Sequence, residues 1–286
     1  MTEDIRLAVI GGSGLYSMQG LEDVRQKTVK TPFGAPSSPV MIGTLAGQRV
    51  AFLARHGIGH MLTPSEVNYR ANIYALKSLG ARFVLSVNAC GSLREDFEPG
   101  HIVIPNQLYD HTHLRARSFF GDGLVAHVGV AEPFCAEFSQ QIFTASEAAG
   151  ATAHLGGSFI TIEGPRFSTR VESNTYRSWG LDIIGMTTSP EAFLAREAEL
   201  HYGVVAHITD YDVWHKEPVS VEMVVRTLNQ NTAHVQATIR ELVGQLNPQP
   251  SCDCEQALAN AMMTTRNKVP AATRKKLGLL VDKYLG

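Results

Sequence analysis

Cysteine, long apolar runs and an excess of charge of either sign are scarce in this chain, and each scarcity excludes a class of protein. Four cysteines in 286 residues, Cys90, Cys135, Cys252 and Cys254, are too few for the disulfide framework of a small secreted domain. The Cys252-Asp253-Cys254 step is shorter than the usual spacing of zinc ligands, and no run of histidines stands beside it, so no metal is expected and the thiols are expected to be free. No uninterrupted apolar stretch reaches the length needed to cross a bilayer, and Met1 to Arg6 lacks the basic and then apolar regions of a secretory leader. A cytoplasmic protein is expected. Lys and Arg number 25 against 27 Asp and Glu, with a formal net charge of -2 and no basic stripe to follow a nucleic-acid backbone or an anionic membrane. Internal repeats and low-complexity tracts are lacking too. What remains is a globular protein with a small-molecule partner.

The length and an apolar content of 44% allow a sizeable core. Short β-branched runs predict strands buried on both faces at Leu7 to Ile10, Val50 to Leu53, Phe83 to Val87, His101 to Ile104 and Gly203 to Ile208. A helix is expected from Thr63, with Pro64 at its first position and Glu66 closing a capping box, to a stop at Gly80. A second is expected from about Thr188. A third carries Val221, Val224, Val225, Leu228, Val235, Ile239 and Leu242 on one face. This alternation predicts an α/β fold, a single domain with a central twisted sheet flanked by helices. Hairpin-like segments at Val29 to Pro39 and Val40 to Leu53 make the sheet mixed. Asn247-Pro248-Gln249-Pro250-Ser251 reads as a linker, dividing a body of residues 1–246 from a helical tail of residues 247–286 that packs on it, with helices at about Glu255 to Met263 and Ala271 to Leu285.

Several loops at the carboxyl ends of strands carry chemistry, and ligands of open α/β sheets bind there. Gly11-Gly12-Ser13-Gly14 is either a tight turn or an anion cradle; it fits neither the dinucleotide fingerprint nor the phosphate-binding loop with lysine. Arg55-His56-Gly57-Ile58-Gly59-His60 offers a fixed cation and two imidazoles, or else a solvated basic loop. Asn88-Ala89-Cys90-Gly91-Ser92 and Met186-Thr187-Thr188 supply amide and hydroxyl donors, or merely caps. In Thr161 to Ser168, Glu163 and Arg166 either form a structural ion pair or frame Phe167 and Ser168 for stacking on a flat ring. Asp210 and Asp212 suit a turn, a cation site or a hydrogen-bonding fork.

Taken in order, Gly11 to Leu15, Thr31-Pro32-Phe33-Gly34, Arg55-His56-Gly57, Val67 to Asn72, Gly91 to Glu95, Ala131 to Cys135, Thr161 to Ser168, Met186-Thr187-Thr188 and Thr209 to Asp212 resemble the 5′-methylthioadenosine phosphorylases of the trimeric purine nucleoside phosphorylase family, over about Ile5 to Leu246. The resemblance implies phosphorolysis of 5′-methylthioadenosine to adenine and 5-methylthioribose 1-phosphate, in methionine and polyamine salvage, with phosphate as co-substrate and no cofactor. It implies that Ser13, Arg55, His56, Asn88, Ala89 and Thr187 surround phosphate, and that Met186 meets the ribose and Phe167 the purine. Ser168, Asp210 and Asp212 then read the base. His60, Val221 and Val224 would line the 5′-alkylthio pocket, joined by His127 from a neighbouring subunit of a homotrimer. Asn88 departs from the animal members, which carry Thr, and Cys252-Asp253-Cys254 is similar to the Cys-x-Cys step that archaeal thermophilic members use in disulfide chemistry, although His201 stands where a cysteine is common. Both valines also fit a core stripe.

A carboxyl group buried near a second one has its pKa raised, which makes Asp210 the expected general acid at purine N7. A carboxylate also accepts from the 6-amino group of adenine, whereas relatives acting on 6-oxopurines carry Asn there. The alternatives are a broader purine nucleoside phosphorylase acting on adenosine or 6-oxopurine nucleosides, a nucleosidase using water, and a purine-binding protein without turnover.

Overall fold

The computed structural model describes residues 3–215 and 220–286. Its frame is a mixed sheet of eleven strands with helices on both faces. The strands are β1 (Leu7–Gly11), β2 (Glu22–Lys27), β3 (Val40–Leu45), β4 (Gln48–Ala54), β5 (Phe83–Ser92), β6 (Ile102–Ile104), β7 (Gln107–His111), β8 (Ala153–Leu155), β9 (Ser158–Ile162), β10 (Ile183–Gly185) and β11 (His201–Asp210). The helices are α1 (Tyr69–Ser78), α2 (Ala136–Ala148), α3 (Arg170–Ser178), α4 (Thr188–Glu197), α5 (Val221–Gln245) and α6 (Ala271–Leu285). Every residue of β1 and β11 is buried, as the continuous apolar runs require when both faces of a sheet are covered.

The organising element is β5. Its first half pairs in parallel with β1, almost its whole length pairs in parallel with β11, and its far end also pairs antiparallel with β10 through Gly91 and Ser92. Four strands thus deliver their ends to one place. One core layer packs Ile73, Leu76, Leu194 and Leu200 with Leu277, Leu280, Val281 and Leu285 of α6, so the tail helix joins the same apolar cluster as α1 and α4. The opposite layer packs Phe83, Phe138, Ile142, Val235, Ile239 and Leu242. None of the described helices is long and apolar enough to cross a membrane.

Three local expectations are corrected. Only half of the Thr63–Glu66 box forms, the Thr63 N–H donating to Glu66 Oε2 at 2.9 Å while the Glu66 N–H donates to Thr63 O in a turn, and α1 begins only at Tyr69. Asn68 caps it instead: its Oδ1 accepts from the Ala71 N–H while its amide donates to Phe33 O, so tertiary contacts choose the start. Val29 to Pro39 is no hairpin; β3 pairs with β4, as the Val40 to Leu53 segment predicts, and on its other edge with β2, whose exposed polar residues hide an edge strand from any apolar-pattern search. The segment Glu255 to Met263 makes turns where a helix was expected, because its backbone is diverted to pair across to the stretch near His127: the His127 N–H donates to Ala261 O and the Met263 N–H to Val125 O, each at 2.8 Å.

Candidate active site

A cavity of about 470 Å³ opens where β1, β4, β5, β10 and β11 end. Arg55, His56, His60, Asn88, Ala89, Phe167, Ser168, Met186, Thr187, Asp210, Asp212, Val221 and Val224 all line it. The Ser13 side chain lies outside the described residues, although its neighbours Gly12 and Gly14 reach the cavity. His127 is exposed and is not part of the cavity of its own chain.

Asp210 is aimed by a defect in the sheet. Along β11 the register with β5 runs from Ile208 opposite Cys90 straight to Asp210 opposite Gly91, and this bulge at Thr209 turns the carboxyl group inward. Thr209 Oγ1 donates to Asp210 Oδ2 at 2.7 Å and the Asp212 N–H to Asp210 Oδ1 at 2.8 Å. Burial raises the Asp210 pKa to about 6, aided by the charge of Asp212 and opposed by those two hydrogen bonds. Gly91 makes room for the pair, since a Cβ there would stand 3.0 Å from Asp210 Oδ1 and 3.2 Å from Asp212 Cβ. Asp212 sits at φ 48°, a region that Asp tolerates better than most residues. Its buried Oδ2, like Ser168 Oγ and His207 Nδ1, has no hydrogen-bond partner among the described residues. Buried polar atoms without partners in a cavity wall are groups waiting for a ligand.

Arg55, in the wall of the same cavity, is less free than its sequence position suggests. Nε and Nη2 each donate to the Glu191 carboxylate at 2.9 Å, Nη2 also to Ser86 Oγ at 2.6 Å, and Nη1 to Val87 O at 3.0 Å. Most of its fork is therefore spent inward, leaving part of Nη1 and its field for the cavity. Asn88 is held in the same network, its amide donating to Ser86 Oγ at 2.9 Å and its Oδ1 accepting from Thr187 Oγ1 at 2.9 Å. The amide thus links the two donor loops that the sequence shows separately. His56 Nδ1 lies 2.9 Å from Leu62 O and must donate to it, so Nε2 carries the remaining lone pair or proton. Burial first and the Arg55 charge second lower the His56 pKa to about 4. His60 stacks on it at 4.4 Å between ring centroids.

The ion pair considered between Glu163 and Arg166 is not formed. Arg166 binds Glu172 with two bonds of 2.8 and 2.7 Å on the surface. Glu163 instead accepts from the His113 and Leu114 N–H groups at 2.6 and 3.1 Å, from Ser65, and from Arg115 Nε at 3.2 Å. Burial opposes ionisation, but those hydrogen bonds win and bring its pKa to about 2. Arg115, which no motif singled out, is the hub: it donates to Met186 O at 2.6 Å, Ser189 O at 2.7 Å and Glu163 O at 2.7 Å, tying the Phe167 loop to the Met186 loop. Glu191 and Arg115 are the residues sequence reasoning missed. Their signal is burial of a charged or titratable group, which no spacing reveals.

The stripe of α5 divides in two. Val235, Ile239 and Leu242 are core, whereas Val221 and Val225, 68% and 46% exposed, line the cavity with Val224. A second correction concerns the cysteines: Cys135, Cys252 and Cys254 meet His201 in one cluster remote in sequence.

Residues 6–244 match the sequence profile of the phosphorylase superfamily. Over 282 residues, 98% of this chain and 99% of the relative, the sequence is 51% identical to the S-methyl-5′-thioadenosine phosphorylase of Geobacter sulfurreducens. The crystal structure of a methylthioadenosine phosphorylase from an Antarctic soil metagenomic library superposes with a TM-score of 0.94 at 44% identity, covering 98% of this chain and 100% of that one. The methylthioadenosine phosphorylase of Schistosoma mansoni in complex with adenine superposes with a TM-score of 0.85 at 36% identity, covering 91% and 99%.

Proposed function

The chain belongs to the S-methyl-5′-thioadenosine phosphorylases of the phosphorylase superfamily and catalyses their phosphorolysis, and within that reaction we propose that Asp210 protonates the purine while Arg55 and its neighbours hold phosphate. The products are adenine and 5-methylthioribose 1-phosphate, which places the enzyme in methionine and polyamine salvage. The observation that carries the assignment of roles is a single cavity lined both by a buried carboxyl group of pKa about 6 and by an arginine, a histidine and amide donors.

Breaking the N-glycosidic bond leaves positive charge on the ribosyl ring and negative charge on the purine. Phosphate between Gly12, Gly14, His56, Asn88, Ala89 and Thr187 stabilises the first and supplies the nucleophile, already oriented. Neutral His56 accepts a hydrogen bond from a protonated phosphate oxygen through Nε2, and the free part of Arg55 Nη1 adds a charged donor. Asp210 delivers its proton to N7. Ser168 Oγ and Asp212 Oδ2, unpartnered and buried, take up the polar edge of the base, and Phe167, 37% exposed, stacks on its face. Met186 meets the ribose. His60, Val221 and Val224 form an apolar flank for the methylthio group, where a hydroxyl would lose its water without compensation. His127 completes this flank from a neighbouring subunit of a homotrimer; its exposure, outside the lining of the cavity of its own chain, supports that reading. The cysteines, none of them in a disulfide among the described residues, support a cytoplasmic enzyme.

The direct test is an assay of 5′-methylthioadenosine and inosine side by side, with and without phosphate. Turnover of the first only, and only with phosphate, is expected. Release of free methylthioribose at an unchanged rate without phosphate refutes phosphorolysis, and equal rates on inosine refute adenine selectivity. A second expectation concerns Arg115. In Arg115→Leu the Phe167 and Met186 loops lose their common anchor, and a displacement of about 1 Å at the substrate costs on the order of 100-fold in kcat/KM for the nucleoside. Unchanged steady-state kinetics would show that the loops hold themselves.

A further inference from the structure

We propose that Cys135, His201, Cys252 and Cys254 form a tetrahedral zinc site that fastens the carboxyl-terminal tail to the body of the enzyme. This inference stands apart from the catalytic assignment. The four donor atoms lie within 4.8 Å of one another, with Cys135 Sγ 3.5 Å from Cys252 Sγ and His201 Nδ1 3.5 and 3.3 Å from those two sulfurs. Zinc bonds of about 2.3 Å to sulfur and 2.0 Å to nitrogen place tetrahedral ligand atoms roughly 3.5–3.8 Å apart, so the cluster has the dimensions the ion needs. Three sulfurs and one imidazole are also the donor set of a closed structural site, with no position left for water.

The surroundings suit a charged centre. Zinc with three thiolates carries one net negative charge, and Arg196 Nη1 points at Cys254 Sγ from 3.3 Å. The Phe83 ring stacks on His201 at 4.7 Å and fixes its plane, so Nδ1 faces the sulfurs while Nε2 lies 3.5 Å from the Glu255 carboxylate, the outer partner that zinc-bound histidines commonly have. Binding releases the thiol protons to solvent.

Position argues for a fastening and against catalysis. Cys135 caps α2 and His201 opens β11, whereas Cys252 and Cys254 follow the proline-containing linker. The ten residues of β11 put Asp210 about 30 Å from His201.

The test uses the full chain purified under reducing conditions. Elemental analysis should find one equivalent of zinc, and cobalt(II) replacing it should show the intense visible bands of a tetrahedral thiolate centre. Cys254→Ser and His201→Ala should weaken zinc binding at least tenfold, while His201→Cys, which restores four ligands, should retain it and serves as the folded control. A chelator should lower the melting temperature of the unmodified enzyme and leave that of Cys254→Ser unmoved. Reduced protein that takes up neither ion, zinc content indifferent to Cys254→Ser and His201→Ala, or a disulfide between Cys135 and Cys252 recovered from zinc-free protein each overturns the proposal.

Discussion

Asp210→Asn is expected to lower kcat on 5′-methylthioadenosine by roughly 100- to 10,000-fold, the usual contribution of a positioned general acid, and at the same time to make the unliganded enzyme more stable near neutral pH. The two effects share one cause. In the unfolded chain the carboxyl group ionises at its ordinary 3.8; in the folded chain burial moves this to about 6. The folded state therefore binds more protons between those values, stability falls as pH rises through that window, and above it the full penalty remains. At 1.4 kcal/mol per unit that penalty is about 3 kcal/mol. Asparagine removes it while keeping the bond from the Asp212 N–H, and Thr209 Oγ1 can turn its proton to Cys90 O, 3.3 Å away. The pH profile supplies the sign: kcat/KM of the unmodified enzyme falls as pH rises above about 6, because the free enzyme loses the proton it must deliver, and Asp210→Asn loses that limb. Asn also turns a donor toward position 6 of the purine, so residual activity should shift toward inosine. A variant that melts lower and keeps the alkaline limb would remove Asp210 from the role of acid.

Glu191→Ala should be the most destabilising single change near the site. The Glu191 side chain is fully buried and accepts four bonds, two from Arg55, one from Ser86 Oγ at 2.7 Å and one from the Tyr202 hydroxyl at 2.9 Å. Removing it strands a buried guanidinium, a loss of about 3–5 kcal/mol measured as a lower denaturation midpoint. The double replacement Arg55→Met with Glu191→Leu separates folding from function. Apolar side chains of similar volume restore much of the stability, but the phosphate site has lost its fixed cation, so the KM for phosphate should stay at least tenfold high. If the double variant recovered its phosphate KM together with its stability, Arg55 would be only scaffolding.

The part of this protein that is legible in sequence is the part written locally. The β-branched runs that become β1, β4, β5, β6 and β11 are local because a strand buried on both faces must be apolar throughout. The Gly80 stop and the tail helix α6 are local for the same kind of reason, a backbone preference or a period that neighbours set. The segments bearing Arg55, Asn88, Phe167, Thr187 and Asp210 could be found one at a time from the strand and helix ends the sequence predicts, although β5 and β11 run on to include Asn88 and Asp210. That they face one another is a property of β5, whose two edges gather β1, β10 and β11.

Pairing across the sheet alone decided the rest. The bulge at Thr209 aims Asp210, and desolvation lifts its pKa, neither of which a residue type can announce. Arg55 reads as a free cation until Glu191, 136 positions away, takes most of its donors. The valine stripe of α5 is uniform in sequence, yet one half is core and the other wall, because the sheet ends beneath it. Cys135, His201 and the Cys252-Asp253-Cys254 step carry no recognisable spacing, since metal spacing rules describe ligands on one local element and these come from a helix cap, a strand start and a tail. Local chemistry determined which elements and which reactive side chains this protein would have; the long-range register of one sheet decided which of them meet.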